Sequence, residues 1–225
     1  MHDPSYGPRF RDRAAAGQQL AQALDEYTGR HDVVILALPR GGVPVGYEIA
    51  RRLRVPLDVL LVRKLGVPWH PELAMGAVAS GGVQVLNDEV VRAYSIPAHA
   101  INTVVARERE ELDRRAREYR GGRPLPALEG RTVILVDDGL ATGSTMRAAV
   151  AAVRLQNAAS VIVAVPVAAI QTCEDLGREV DRIVCLRTPE MFSAVGAWYD
   201  DFAQTSDEDV RALLAAAASP ASAAG

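Results

Sequence analysis

Two adjacent carboxylates, Asp137 and Asp138, follow the apolar run Val133-Ile-Leu-Val136 and precede Gly139-Leu-Ala-Thr-Gly-Ser-Thr145. A run of apolar, mostly β-branched residues reads as a strand buried on both faces, so the acidic pair stands where that strand ends. Met146–Val153 is a strong helix former, so the small-residue loop opens a helix. Backbone N–H groups of Ala141, Thr142, Gly143, Ser144 and Thr145 would point into such a loop, and the helix N-terminus adds positive potential that favours a phosphate. Gly139 and Gly143 permit close backbone approach, and Thr142, Ser144 and Thr145 add hydroxyl donors. Asp137 and Asp138 accept hydrogen bonds, which suits the vicinal hydroxyls of a ribose and an associated Mg²⁺. The chemistry in these residues is the holding of a phosphorylated sugar.

Three further clusters could serve the same ligand. Leu38-Pro-Arg-Gly-Gly-Val-Pro44 ends an apolar strand and opens a helix, aiming backbone N–H groups and the Arg40 guanidinium at an anion, with Gly41 and Gly42 allowing close approach. Val62-Arg-Lys-Leu-Gly-Val-Pro-Trp-His-Pro-Glu72 places Arg63 and Lys64 at the end of a second strand. Gly66, Pro68 and Pro71 there predict an irregular, mobile lid. Lys64 is the single lysine among 25 basic residues, which favours a functional role for it. His70 and Glu72 read either as proton donor and acceptor or as plain surface residues. Near the C-terminus, Phe192 or Trp198 could stack on a base, Asp200 or Asp201 could accept from it, and the alternative is an aromatic core cluster.

The pattern is not a P-loop, because no lysine follows Gly143. It is not a phosphoacceptor receiver domain either, where the acidic pair belongs to the first strand and no Thr-Gly-Ser-Thr helix entry follows. Val133–Thr145 resembles the phosphoribosyl pyrophosphate (PRPP) signature of the type I phosphoribosyltransferases. Around it, residues 38–44 are similar to that family's pyrophosphate loop, 62–72 to the segment flanking its flexible catalytic loop, and 187–202 to the hood over its nucleobase.

The resemblance implies a Mg²⁺-dependent transfer of phosphoribose from PRPP to a small acceptor, with pyrophosphate leaving. The 5′-phosphate would sit on residues 141–145, the ribose hydroxyls and metal on Asp137 and Asp138, and the pyrophosphate on Arg40, Gly41, Gly42, Arg63 and Lys64. It further implies a non-proline cis peptide around Arg40–Gly41 and a homodimer. Leu140–Met146 most resembles the adenine-type loop, with Ala141 where the hypoxanthine-guanine type carries an aspartate. The hood resembles that of 6-oxopurine enzymes, so the base stays open. A regulator of the same fold that senses PRPP or a nucleotide is the alternative reading.

These residues need a frame to hold them. Asp12 can cap a helix to about Tyr27, with Ala16, Leu20, Ala23 and Leu24 inward. Strands are predicted at Val33–Leu38, Leu57–Val62, 132–137, Ser160–Val165 and Arg182–Leu186, and a hairpin at Leu73–Ala79 and Val83–Leu86 turned at Gly81-Gly82. Helices are predicted at Val43–Leu53, a short one capped by Asp88, a longer one from Pro97 to about Arg120, others at 146–156 and Ala169–Val180, and a last one at Asp207–Ala218. Alternating strands and helices imply an α/β fold with a doubly wound, mainly parallel sheet and ligands at the carboxyl ends of its strands. The expected organisation is one domain over 1–225. It has a core at about 33–186, a hood at about 187–202 joined by the N-terminal segment, an insertion at about 73–120, and a frayed tail at 219–225. The 97–120 helix carries six arginines against five acids from Arg107 onward and reads as a solvated face, with a dimer interface or lid as the alternative.

At 225 residues, 49% hydrophobic and a net charge of −3, the chain suits one globular domain and no nucleic-acid partner. No apolar run is long enough for a membrane span and the N-terminus lacks a signal-peptide core, so a cytoplasmic protein is expected. Cys173 and Cys185 have no metal-binding spacing and are expected as two reduced, buried thiols.

Overall fold

The computed structural model describes residues 8–218; the expected tail at 219–225 lies outside them. In chain order the elements are α1 (Arg13–Gln22), β1 (Val33–Ala37), α2 (Gly42–Leu53), β2 (Leu57–Val59), β3 (Val62–Val67), β4 (His70–Ala79) and β5 (Val83–Leu86). They continue as α3 (Asp88–Ala93), α4 (Ala98–Arg120), β6 (Thr132–Val136), α5 (Ser144–Arg154), β7 (Ser160–Val167), α6 (Ile170–Gly177), β8 (Arg182–Arg187) and α7 (Asp207–Ala218). Short 3₁₀ turns occupy Asp25–Tyr27 and Val195–Trp198.

The central sheet is five-stranded and parallel, in the order β2-β1-β6-β7-β8. β1 and β6 are buried at every residue, as continuous apolar runs require when helices cover both faces. On one face Val34, Leu36, Val133, Leu135 and Val163 pack with Met146, Val150 and Val153 of α5. On the other, Ile35, Ile134 and Ile162 pack with Leu20 of α1 and with Val45, Ile49 and Leu53 of α2. Successive strand residues alternate between these two clusters, the period-2 geometry of a doubly covered sheet.

β1 and β6 pair in level register from Val33↔Thr132 to Ala37↔Val136. The loop after each strand therefore starts at the same height, and Leu38 N–H still donates to the Val136 carbonyl at 2.8 Å. That register sets Arg40-Gly41-Gly42 against Asp137-Asp138.

Three expectations change here. The second strand stops at Val59, and Val62–Val67 turns back as β3, pairing antiparallel with β4 from Val62↔Ala79 to Val67↔His70. The segment predicted to be an irregular lid is therefore part of a three-stranded sheet, β3-β4-β5. Its prolines are placed where they cost no ladder bond, Pro68 in the turn and Pro71 beside the register shifts at Gly66. The first helix ends at Gln22, short of Tyr27, and a 3₁₀ turn follows. Asp12 caps it as expected, accepting from Ala15 N–H at 2.7 Å. Cys173 of α6 and Cys185 of β8 form a disulfide, in place of two reduced thiols. The return from α6 to β8 brings these positions together across only 12 residues of chain, a proximity that spacing alone does not reveal.

α4 packs against β3 and β4 on the face of the small sheet away from α5, burying Ile101, Val104, Val105 and Leu112 with Leu65, Val67 and Met75. Its last turn is tied to the central sheet by Arg120, which is 4% exposed and bonds Asp58 Oδ1 at 2.8 Å and the Val59 carbonyl. The N-terminal segment lies on the hood: Phe10 N–H donates to the Trp198 carbonyl at 2.9 Å and the Asp200 N–H to the Phe10 carbonyl at 2.8 Å.

Candidate active site

Asp137 and Asp138 extend past the end of β6 into a largely desolvated corner. Asp138 N–H donates to Asp137 Oδ1 at 2.9 Å. Asp138 Oδ2 accepts from Arg13, through Nε and the terminal nitrogen, both at 2.8 Å. The Asp138 carbonyl accepts from the Tyr199 hydroxyl at 2.6 Å. Burial pushes the Asp137 carboxyl well above the ordinary aspartate value, and the adjacent Asp138 charge pushes it further. Burial also raises Asp138, with the Arg13 guanidinium pulling against it. Among the described residues, the two carboxylates thus share the half-buried Arg13 guanidinium, leaving the corner short of positive charge.

The loop from β1 closes on this pair. A Cβ added to Gly41 would lie 2.0 Å from Asp138 Oδ2, and one added to Gly42 would lie 2.6 Å from the Val136 carbonyl oxygen. Side chains are excluded at both positions, so backbone faces the carboxylates directly. α2 begins at Gly42, so its N-terminus opens at this point. The resemblance implied a non-proline cis peptide around Arg40–Gly41; the cis bond is Pro39–Arg40, one bond earlier.

The loop from β6 opens α5. Gly143 is its N-cap at φ 70°, a left-handed conformation that favours glycine, and an added Cβ would meet Thr172 Cγ2 at 2.8 Å. Ala141, Thr142, Ser144 and Thr145 are exposed around it. The Thr142 and Ser144 hydroxyls lie 3.2 Å apart, Arg147 donates to the Thr142 carbonyl at 3.0 Å, and Thr172 Oγ1 donates to the Ala141 carbonyl at 2.6 Å. The loop thus stands at a helix N-terminus and is tied to α6 through Thr172.

The remaining predicted residues divide. Arg40 reaches away from the acidic pair, 3.8 Å from Asp207 of α7. Arg63 and Lys64 contribute to the wall of one cavity of about 680 Å³ beside α4, but their side chains point to opposite faces, as neighbours on a strand do. Arg63 faces α4 and bonds Glu108 at 2.9 and 2.7 Å. Lys64 faces the other way, donates to the Glu72 carbonyl at 3.0 Å, and lines a small cavity of about 90 Å³ with Ser144 and Thr145. His70 and Glu72 are exposed at the start of β4, with His70 edge-on to Tyr94 at 6.1 Å.

In the hood, Trp198 is buried among Phe10, Ala16 and Val167, so its ring belongs to the core. Phe192 is half-buried at the margin of that cluster, and Asp200 and Asp201 are exposed. Val195 covers Gly139, where a Cβ would come within 2.6 Å of Val195 Cγ1. Sequence reading missed Arg13, Tyr199 and Phe202. The Arg13 guanidinium is sandwiched between Asp138 and the Phe202 ring, 3.9 Å from its centroid, and donates to the Ala203 carbonyl at 2.7 Å. The partners are 125 residues apart for Arg13–Asp138 and 61 for Tyr199–Asp138, and no local pattern encodes such pairs. Among the described residues, no group of three or more His, Cys, Asp or Glu side chains converges as a metal site, and no helix is long and apolar enough to cross a membrane.

Comparison with known proteins agrees with this geometry. The sequence model of the phosphoribosyl transferase domain matches residues 10–196. Two Mycobacterium tuberculosis proteins, from strains CDC 1551 and H37Rv, carry phosphoribosyl transferase names on a provisional basis. Each is 49% identical over 205 residues, covering 91% of this chain and 46% of the relative. The chain thus spans less than half the length of these curated relatives. The crystal structure of TT1426 from Thermus thermophilus superposes with a TM-score of 0.82 at 48% identity, covering 92% of this chain and 97% of that one.

Proposed function

The chain belongs to the phosphoribosyl transferase domain family, and on that premise we propose that it transfers the 5-phosphoribosyl group of PRPP to a nucleobase-like acceptor, a purine first of all, releasing pyrophosphate. One observation carries the reading. Level strand ends set a half-buried acidic pair between the N-termini of two helices, α2 behind Arg40-Gly41-Gly42 and α5 behind Ala141–Thr145. Each N-terminus favours an anion, and the carboxylates between them favour the hydroxyls of the sugar that joins the two.

In this reading residues 141–145 hold the 5′-phosphate, Asp137 and Asp138 orient the ribose, and Arg40–Gly42 hold the pyrophosphate. Lys64, which lines a cavity with Ser144 and Thr145, supports the phosphates from the hairpin, and Arg63 steadies that hairpin through Glu108. Displacement at the sugar C1 breaks its bond to pyrophosphate oxygen and forms one to the acceptor nitrogen through an oxocarbenium-like state, as in glycoside chemistry. The protein contributes chiefly by fixing both reactants and stabilising the charge on the leaving group. For the acceptor, the half-buried Phe192 ring and the exposed Asp200 remain the proposed contacts, and the buried Trp198 shapes the hood beneath them.

Mg²⁺ fits the donor set. It is commonly held by one or two carboxylates, with water and substrate phosphate completing its shell. Asp137 and Asp138 are two desolvated carboxylates facing one arginine, so a further cation is favoured there. When bound, Mg²⁺ would neutralise charge on the diphosphate.

The wider proposal is a cytoplasmic homodimer acting in nucleotide salvage. A reducing cytoplasm would keep Cys173 and Cys185 as thiols, so thiol labelling in rapidly quenched extracts bears on that part. The decisive assay is pyrophosphate release from PRPP and Mg²⁺ with adenine, hypoxanthine, guanine, xanthine, uracil and orotate in turn. Base-dependent release is the expected result and names the acceptor. PRPP binding with no release for any base would contradict nucleobase transfer.

A further inference from the structure

The Arg40 side chain opens onto a cleft of about 140 Å³ that no part of the acidic-pair geometry uses. Its walls are Arg40 from the β1 loop, Arg114, Arg115, Glu118 and Tyr119 from α4, and Asp207 from α7. Three guanidiniums from two separate elements converge there with Glu118 and Asp207, and Glu111 bonds Arg114 at 2.8 and 2.9 Å and Arg115 at 2.8 Å. The volume exceeds the roughly 30 Å³ share of one water several-fold and suits a phosphate-sized anion.

Asp207 already behaves as an anion in this cleft. It accepts a hydrogen bond from the Tyr119 hydroxyl and lies 3.8 Å from Arg40. Its own helix does not need it there. The start of α7 is capped by Ser206, whose hydroxyl accepts from Asp209 N–H at 3.0 Å, while Asp209 accepts from Ser206 N–H at 2.8 Å. Glu118, by contrast, is held by Arg114 at 3.1 Å and Arg211 at 3.0 Å. Asp207 is thus the carboxylate most easily exchanged for another anion. Burial pushes the Tyr119 hydroxyl up to about 12, with the Asp207 charge adding to the effect, so it stays a neutral donor at physiological pH.

The geometry points to a diphosphate subsite in which Arg115 of α4, with Arg40 and the Tyr119 hydroxyl, binds the outer phosphate of pyrophosphate once it displaces Asp207. This rests on the reading of residues 40–42 as the pyrophosphate loop, and it extends that loop's reach onto α4. It gives the long helix a task in the site besides packing. The C-terminal helix becomes an internal competitor of the diphosphate, because the Asp207 carboxylate and the outer phosphate use the same donors.

The test is calorimetric titration of the full chain with inorganic pyrophosphate at fixed ionic strength, with thermal melts checking that each variant folds. Arg115→Ala should weaken pyrophosphate roughly tenfold or more, the loss of a hydrogen bond to a charged group. Arg115→Lys should recover part of that, since a point charge remains without the planar fork. Asp207→Asn should tighten binding several-fold by removing the competitor. Weakening by Arg40→Ala with no effect of Arg115→Ala or Asp207→Asn would overturn the subsite and leave the loop reading standing. No effect of Arg40→Ala, or no pyrophosphate binding by the wild-type chain, would overturn both. If Arg115→Ala does not fold, Asp207→Asn decides alone: tighter binding supports the subsite and unchanged binding refutes it.

Discussion

At the scale of single residues, the acidic pair stands where burial disfavours its charge. Asp137 is pushed up by burial and by Asp138, and the bond its carboxylate accepts from Asp138 N–H is equally available to an amide oxygen. Asp137→Asn should therefore fold and melt higher, by roughly the 0.5–2 kcal/mol seen when strained functional groups are relieved, while losing PRPP affinity. Differential scanning calorimetry beside PRPP titration checks both halves. Gly41→Ala should act the opposite way on geometry. Its Cβ would lie 2.0 Å from Asp138 Oδ2 and 2.6 Å from the carboxyl carbon, a group fixed by Arg13, so carboxylate or loop must move. We expect PRPP affinity to fall at least about tenfold, since an ångström of misplacement is costly in a positioned site; retained affinity would show that the loop can yield.

At the scale of elements, α4 is held at its last turn and near its middle by charge pairs of different burial. Arg120 is 4% exposed and its partner Asp58 17%. Arg120→Met leaves Asp58 and the Val59 carbonyl without this donor, a loss of about 3 kcal/mol by comparison with other broken buried pairs. In a chain of this size that corresponds to a fall in Tm of roughly 6–12 °C, measurable by thermal denaturation. Farther along, Glu108 receives Arg63 and Arg107. Burial pushes its carboxyl up, but the arginine hydrogen bonds and charges outweigh that and hold it below the ordinary glutamate value. A lowered carboxylate stabilises the fold above its unfolded value and loses that contribution as pH falls through its folded value. The stability gap between wild type and Glu108→Gln should accordingly be full above about pH 4.5 and shrink below it. A gap independent of pH would remove the charge pair from the account.

The same elements show what sequence can and cannot carry. β1, β6 and the α5 entry are legible because burial on both faces forces continuous apolar runs, and because a phosphate cradle demands small residues at fixed positions. The β3–β4 pair misleads because Gly66, Pro68 and Pro71 look like breakers, whereas the turn and register shifts absorb them. Arg13, Tyr199 and Phe202 are illegible for another reason. Their roles arise from contacts 61 and more residues apart, which the packing of the N-terminal segment onto the hood creates. The opposite facing of Arg63 and Lys64 follows only once the segment is known to be a strand.

At the scale of the whole molecule, a parallel sheet gathers its chemistry at one edge. The carboxyl ends of β1 and β6 supply both loops proposed to hold anions, and α1, α4, α7 and the hood close around them from other parts of the chain. Such an arrangement predicts that the acidic pair is dispensable for folding and indispensable for the ligand. The most direct measurement is PRPP binding in the presence of Mg²⁺, by calorimetry, for wild type and for the double variant Asp137→Asn with Asp138→Asn. A folded double variant, by circular dichroism and melting, that no longer binds PRPP is the result the account predicts. A folded double variant that binds PRPP as wild type does would place the ligand elsewhere and contradict it.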